Sequence, residues 1–283
     1  MDRAALLSKG EPVRTITIEG DEMPALGLGT WQLEGSDCRD AVRSALKIGY
    51  RHIDTATMYE NEAAIGQELG LTDVPRQELW ITSKIWRDDL RHNDVLKSID
   101  QSLERLACDY LDLILIHWPN DDIPLRETML ALKEVRTEGR VRHIGVSNFT
   151  PSQVEEALAL APIITNQVEC HPFLQQHDMY KLLQAKELVL TAYSPLAHGS
   201  IDEDETVRGI ARKHKASPEQ IALAWQLHRP GIAAIPKASS EQHLRSNLDA
   251  LSITLEADDL ATIRQVDRGE RIIDPDFAPA WGH

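Results

Sequence analysis

Cysteine is scarce in this chain of 283 residues. Three occur, Cys38, Cys108 and Cys170, far apart and with no C-x-x-C pair. That speaks against a disulfide framework and a zinc knuckle and sets a reducing, cytoplasmic location as the expectation. Positive charge is short as well: 30 Lys and Arg against 45 Asp and Glu leave a net charge of −15. Nucleic acid, whose phosphates need Lys and Arg, is therefore not an expected partner, although a local cluster of cations can still hold a small anion. No apolar run approaches the roughly 20 residues needed to cross a bilayer. The first residues carry no sustained apolar stretch of signal-peptide length, so neither membrane insertion nor secretion is expected. No repeat, low-complexity tract or Pro/Gly-rich linker divides the chain. One domain over residues 1–283 is expected, with about residues 1–12 as a flexible extension.

What is present is alternation. Short apolar runs that read as strands lie at 25–29, 52–54, 79–83, 111–116, 141–146, 163–168, 189–193 and 233–235. Between them, segments with helical spacing of apolar residues lie at 41–48, 62–69, 95–106, 128–137, 151–160, 179–185 and 207–214. The last interval holds a second helix, 218–227, with Ser217 as N-cap and Pro218 at its first position. Eightfold strand–helix alternation predicts a (β/α)8 TIM barrel, with an open doubly wound sheet as the alternative. Residues 13–19 and 23–26, joined by Gly20-Asp21, predict an N-terminal β-hairpin plug. The tail from Asp267 onward, with Pro275 and Pro279, predicts a short irregular C-terminal segment crossing the barrel face.

Barrel enzymes carry their chemistry at the C-terminal ends of strands and in the loops that follow. Four residues fall there: Asp54 after the second strand, Tyr59 in the same loop, Lys84 ending the third and His117 ending the fourth. Singly, each has an ordinary structural reading as an ion pair, a rim aromatic or a core histidine. Together at adjacent strand ends they supply a phenol, a cation beside it, a carboxylate to hold the cation and an imidazole to orient a carbonyl. A free tyrosine titrates near pH 10, and a neighbouring cation is expected to lower that value. Cys170, His171 and His177 fit no common zinc spacing, so no metal is expected. Gly27-Leu28-Gly29 lacks the third glycine of a dinucleotide fingerprint, since position 32 is Gln. It reads as a tight turn at the barrel rim.

The segments Leu26-Gly27-Leu28-Gly29-Thr30-Trp31, Gly49-Tyr50-Arg51-His52-Ile53-Asp54-Thr55-Ala56 and Ile81-Thr82-Ser83-Lys84-Ile85-Trp86 resemble the aldo-keto reductases. So do residues 111–119, Ile144-Gly145-Val146-Ser147-Asn148-Phe149 and residues 166–172. The chain is most similar to the family's bacterial 2,5-diketo-D-gluconate and methylglyoxal reductases. The resemblance implies a monomeric enzyme that reduces an aldehyde or ketone with NADPH, Tyr59 acting as general acid. It also implies an extended cofactor across the barrel mouth. Thr30 and Asp54 would flank the nicotinamide ribose, Ser147, Asn148 and Gln167 would hold the carboxamide, and Tyr193 would stack on the ring. Ser194 and Leu196 would lie beside the pyrophosphate. Lys237, with Ser239 or Ser240, would grip the 2′-phosphate near Asn247. Where the family often has an arginine, this chain has His243, which loses the permanent charge and planar fork and opens the way to NADH. Arg245 would compensate only if its helix turned it inward. Trp31, Trp86 and Trp118 would wall the substrate pocket. Alternative readings are a broad-specificity aldehyde reductase and a non-catalytic, cofactor-binding regulatory subunit.

Overall fold

The computed structural model describes residues 14–281; the proposed flexible extension, and residue 13 of the hairpin, lie outside them. Ten strands follow one another: β1 (Thr15–Ile18), β2 (Asp21–Pro24), β3 (Leu28–Gly29), β4 (His52–Asp54), β5 (Trp80–Ile85), β6 (Leu111–Ile116), β7 (Val141–Ser147), β8 (Ile163–Glu169), β9 (Val189–Tyr193) and β10 (Ile232–Ala234). Ten helices intervene or follow: α1 (Gly35–Ile48), α2 (Glu62–Leu69), α3 (His92–Leu106), α4 (Leu125–Thr137), α5 (Pro151–Leu160), α6 (His177–Ala185), α7 (Glu205–His214), α8 (Pro218–His228), α9 (Glu241–Asp249) and α10 (Ala257–Arg264). Strands β3 to β10 pair in parallel in chain order. The sheet closes on itself where Leu26 bridges Ala234 and Gly29 bridges Lys237. The molecule is a (β/α)8 barrel.

The seam accounts for the glycines read as a rim turn. Residues 27–29 run as backbone partners of residues 234–237, and a Cβ on Gly29 would lie 2.5 Å from the Ile235 carbonyl oxygen. Only glycine lets the two backbones approach this closely. Helix starts follow their chemistry. Ser217 caps α8 ahead of Pro218, as expected from sequence, and Gln220 completes a capping box there; Thr150 with Gln153 forms another at α5.

Alternation along β5 positions the site. Trp80 packs with Leu113, Leu115 and Met23 inside the lower barrel, Thr82 meets His52, and Lys84 meets Asp54 near the top. Ile81 and Ile85 face outward into the larger core between strands and helices, and Ser83 donates to Glu62 on α2. A period of two thus sends Trp80, Thr82 and Lys84 into the barrel, the polar pair nearest its top, and Ile81, Ser83 and Ile85 towards the helices. Lys84 therefore stands within β5 rather than at its end, because the strand runs two residues past the expected stop.

The β1–β2 hairpin covers the lower end, with Ile18 and Met23 packed on the inner cluster. Its turn is Glu19-Gly20, both at positive φ (50° and 97°), one residue earlier than the Gly-Asp turn expected. Two consecutive positive φ values define the hairpin turn whose twist matches its strands. Both carboxylates at this turn reach His143: Glu19 contacts its Nδ1 at 3.0 Å and Asp21 its Nε2 at 2.9 Å.

Candidate active site

Lys84 is fully buried, and its ammonium has three oxygen partners. It donates to Asp54 Oδ1 at 2.5 Å, to the Thr55 carbonyl at 2.8 Å and to Tyr59 Oη at 3.3 Å. Tyr59 ends a one-turn helix, Thr57–Tyr59, that the loop after β4 folds over the barrel mouth. Thr57 Oγ1 donates to the Lys84 carbonyl at 3.0 Å and pins that turn to β5. His117 follows β6 directly. Its ring meets the Tyr59 ring edge to face at 5.6 Å and the Trp86 ring at 5.3 Å. The structure thus brings all four sequence-predicted residues together.

Their ionisation follows from their surroundings. Burial alone would depress the Lys84 ammonium, but the Asp54 carboxylate foremost, with the hydrogen-bonded Tyr59 oxygen, raises it above the usual lysine value, so it remains a cation. Burial, and then Lys84, hold His117 well below the ordinary histidine value, so the ring is neutral. Tyr59 departs from the simple expectation. Lys84 does pull its phenol down, but burial of the hydroxyl outweighs that pull and Asp54 opposes it, so the net direction is up. Tyr59 is half-buried and lines the cavity, with its hydroxyl against the buried Lys84 ammonium. Tyr59 is therefore held as the protonated phenol, and Lys84 is placed to stabilise the anion left once the proton has gone.

Asp54, Tyr59 and His117 line a cavity of about 800 Å³ that extends to Lys237, and Lys84 is buried behind Asp54 and Tyr59. Of the residues matched to a cofactor, Thr30, Asp54, Ser147, Asn148 and Gln167 line it, as do Tyr193, Ser194, Leu196 and Lys237. Ser147 Oγ donates to the Gln167 carbonyl at 2.9 Å, and Asn148 Nδ2 donates to the His117 carbonyl at 3.0 Å. Tyr193 Oη donates to Asn148 Oδ1 at 2.8 Å, and burial pushes its phenol up. Asn148 adopts φ 61°, a left-handed conformation that asparagine tolerates better than most residues.

Three matched residues stand outside this wall. Ser239 and His243 are exposed, and Asn247 is buried beside Tyr50 on α9. Ser240 caps α9 by accepting from the His243 amide. Arg245 does not turn inward; it pairs with Glu241 at 2.7 Å on the exposed face of the helix.

Trp31, Trp86 and Trp118 all line the cavity. The tail completes it with Ile272, Ile273, Asp274, Pro275 and Phe277. Phe277 packs edge-on against Trp86 at 5.7 Å and Trp118 at 5.5 Å, and Trp281 packs against Trp118. What ties the tail down was missed from sequence. Glu169, fully buried at the end of β8, accepts from the amides of Ile272 and Ile273 at 2.8 and 2.9 Å and from His171 Nε2 at 2.8 Å. A carboxylate closing a run of strand residues, directly before Cys170-His171, was the available signal. Among the described residues no cluster of His, Cys, Asp and Glu is arranged to hold a metal, and no helix is long and apolar enough to cross a membrane.

A barrel with this mouth belongs to the carbonyl-reducing oxidoreductases. Residues 25–268 match the model of the Aldo/keto reductase family, and the chain is a member of that family. It is 41% identical over 265 residues to the methylglyoxal reductase DkgB of Escherichia coli O157:H7, covering 92% of this chain and 99% of that protein. It is 40% identical over 256 residues to the glyoxal reductase of Bacillus subtilis, covering 89% and 92%. Among solved structures, one provisionally designated 2,5-diketo-D-gluconic acid reductase B superimposes with a TM-score of 0.93 at 37% identity, over 96% of this chain and 98% of the other.

Proposed function

We propose that this reductase converts a small dicarbonyl compound, of the methylglyoxal or 2,5-diketo-D-gluconate kind, to an alcohol using NADPH, with Tyr59 as the proton donor. The observation that carries this reading is the Lys84 ammonium, fixed by Asp54 and 3.3 Å from the Tyr59 hydroxyl, at one end of a cavity whose wall also holds Lys237. The donor set fits a nicotinamide dinucleotide. Asn148 and Gln167 offer amides of the kind that pair with a carboxamide, Tyr193 offers a flat face, and Lys237 offers an exposed cation for a phosphate. The amides that open α9 add favourable backbone N–H groups near that end.

The cofactor, when bound, supplies the hydride. The chain's own residues do the rest. Neutral His117 holds the carbonyl oxygen and sets the face it presents. Tyr59 gives its proton to that oxygen as negative charge develops there. Lys84 stabilises the resulting phenolate, and Asp54 keeps Lys84 charged and in place. The three tryptophans and Phe277 exclude water around the reacting carbon. Kinetics with methylglyoxal, 2,5-diketo-D-gluconate, aldoses and aromatic aldehydes, each with NADPH and NADH, test the reading. NADPH-dependent turnover of the dicarbonyls is expected, and its absence across the panel would overturn it.

A further inference from the structure

Few large hydrophobic side chains are exposed among the described residues, and Trp31, Met58 and Ile272 of that small set all line the one cavity. Met58 immediately precedes the proposed proton donor, in the one-turn helix Thr57–Tyr59. Thr57 is pinned to the Lys84 carbonyl and Tyr59 to the Lys84 ammonium, so Met58 is held in place between them. The chain's sulfur chemistry is uneven at the same spot. Met23, Met129 and Met179 are buried, at 0%, 1% and 5% exposure, whereas Met58 is 47% exposed. Burial pushes the Cys38 and Cys170 thiols up to about 11 and raises that of Cys108, so little thiolate competes for an oxidant at neutral pH. Among the described residues, the sulfur most open to an oxidant therefore stands next to Tyr59.

We infer that Met58 is a modification site: hydrogen peroxide oxidises its thioether to the sulfoxide, and the oxygen added at the substrate end reversibly weakens carbonyl binding. This rests on the carbonyl-reductase reading and adds a redox control to it. The sulfur attacks the peroxide, an S–O bond forms as the O–O bond breaks, and the second oxygen leaves as water. Sulfur gives up two electrons and the peroxide takes them. Return takes two thiols, of the kind a methionine sulfoxide reductase supplies; they become a disulfide as the oxygen departs as water. The sulfoxide is polar and hydrated where the thioether was apolar. A carbonyl compound packing against Trp31, Met58 and Ile272 must then strip water from it, which costs binding. Oxidation changes no atom of Tyr59, Lys84 or Lys237, so proton donation and cofactor affinity persist.

The test treats the full chain with hydrogen peroxide, locates sulfoxide by peptide mass spectrometry, and measures NADPH affinity and aldehyde kinetics before and after. Sulfoxide should accumulate at Met58 ahead of the buried methionines. KM for the aldehyde should rise about threefold or more, with kcat and NADPH affinity changed by less than about twofold. Methionine sulfoxide reductases for both epimers should restore the starting KM. Met58→Leu should show no rise on treatment, and Met58→Gln, polar from the outset, should show a raised KM without it. Sulfoxide forming first at a buried methionine would overturn the inference, as would a Met58→Leu protein as sensitive as the wild type. Complete oxidation of Met58 with KM unmoved would overturn it too. An untreated protein that reduces no carbonyl compound would instead count against the reductase reading, and the peptide map would still decide whether Met58 is the site.

Discussion

Gln167 on β8 donates its amide to Asp54 Oδ2 at 2.7 Å, across the barrel from β4. With Oδ1 taken by Lys84, both oxygens of the buried carboxylate are fixed. Sequence matching had given Gln167 only to the cofactor, so its grip on Asp54 is an additional role. Gln167→Leu should leave one carboxylate oxygen unpaired. A hydrogen bond to a charged group contributes about 1.5–3 kcal/mol, and for a chain of this size each kcal/mol shifts the melting temperature by about 2–4 °C. Thermal unfolding should show that loss, and turnover should fall with it. A variant with unchanged melting temperature and turnover would show that this contact does not hold the carboxylate.

Glu169 is expected to govern the substrate side of the cavity without touching substrate. Glu169→Gln replaces an acceptor oxygen with a donor facing the amides of Ile272 or Ile273. The tail should loosen, KM for the carbonyl substrate should rise several-fold, and limited proteolysis should cut between residues 270 and 281 more readily. Cofactor affinity should change little. A parallel loss of cofactor affinity would mean that Glu169 supports the barrel rather than the tail.

The barrel, its eight strands and the four catalytic candidates were legible in the sequence because short apolar runs alternating with helical segments, and strand-end motifs, are local signals. The tail's anchor was not. Nothing in the local pattern says that Glu169 will meet amides about a hundred residues further on. The state of Tyr59 was also hidden, since residue types show a cation beside a phenol but not how much water burial removes from it. For Ser239, His243 and Asn247 the residue types do not tell exposure: the first two lie on the surface and the third is buried on α9.

The phosphate end of the cavity can be tested separately. Lys237→Ala should weaken NADPH binding by about 10–150-fold, the equivalent of one charge-assisted hydrogen bond, and leave NADH almost unaffected. His243→Arg should strengthen NADPH binding, and more at low salt than at high, because the position is exposed. Equal effects on both cofactors in titrations at two ionic strengths would show that these residues do not read a phosphate.

The pH dependence follows from the directions at the quartet. His117 is held well below the ordinary histidine value, so it should contribute no titration above pH 7. Tyr59 is raised, so its acid form should persist to at least the ordinary tyrosine value of about 10. Carbonyl reduction should therefore show no alkaline fall between pH 7 and 10. Lys84→Met removes the group that pulls the phenol down. Its pKa should move further up while the plateau rate drops, because the phenolate is no longer stabilised. A wild-type fall centred near pH 7–8 would show that Lys84 overrides burial in the working enzyme.

The most direct measurement compares Tyr59→Phe with the wild type in two assays: NADPH binding by fluorescence and carbonyl turnover by NADPH absorbance. The substitution keeps the ring against His117 and removes only the hydroxyl that Lys84 contacts. The account predicts nearly unchanged cofactor affinity and a fall in turnover of about 10²–10⁴-fold, the usual contribution of a positioned proton donor. Turnover retained within a few-fold of wild type would remove Tyr59 from the acid role and contradict the mechanism.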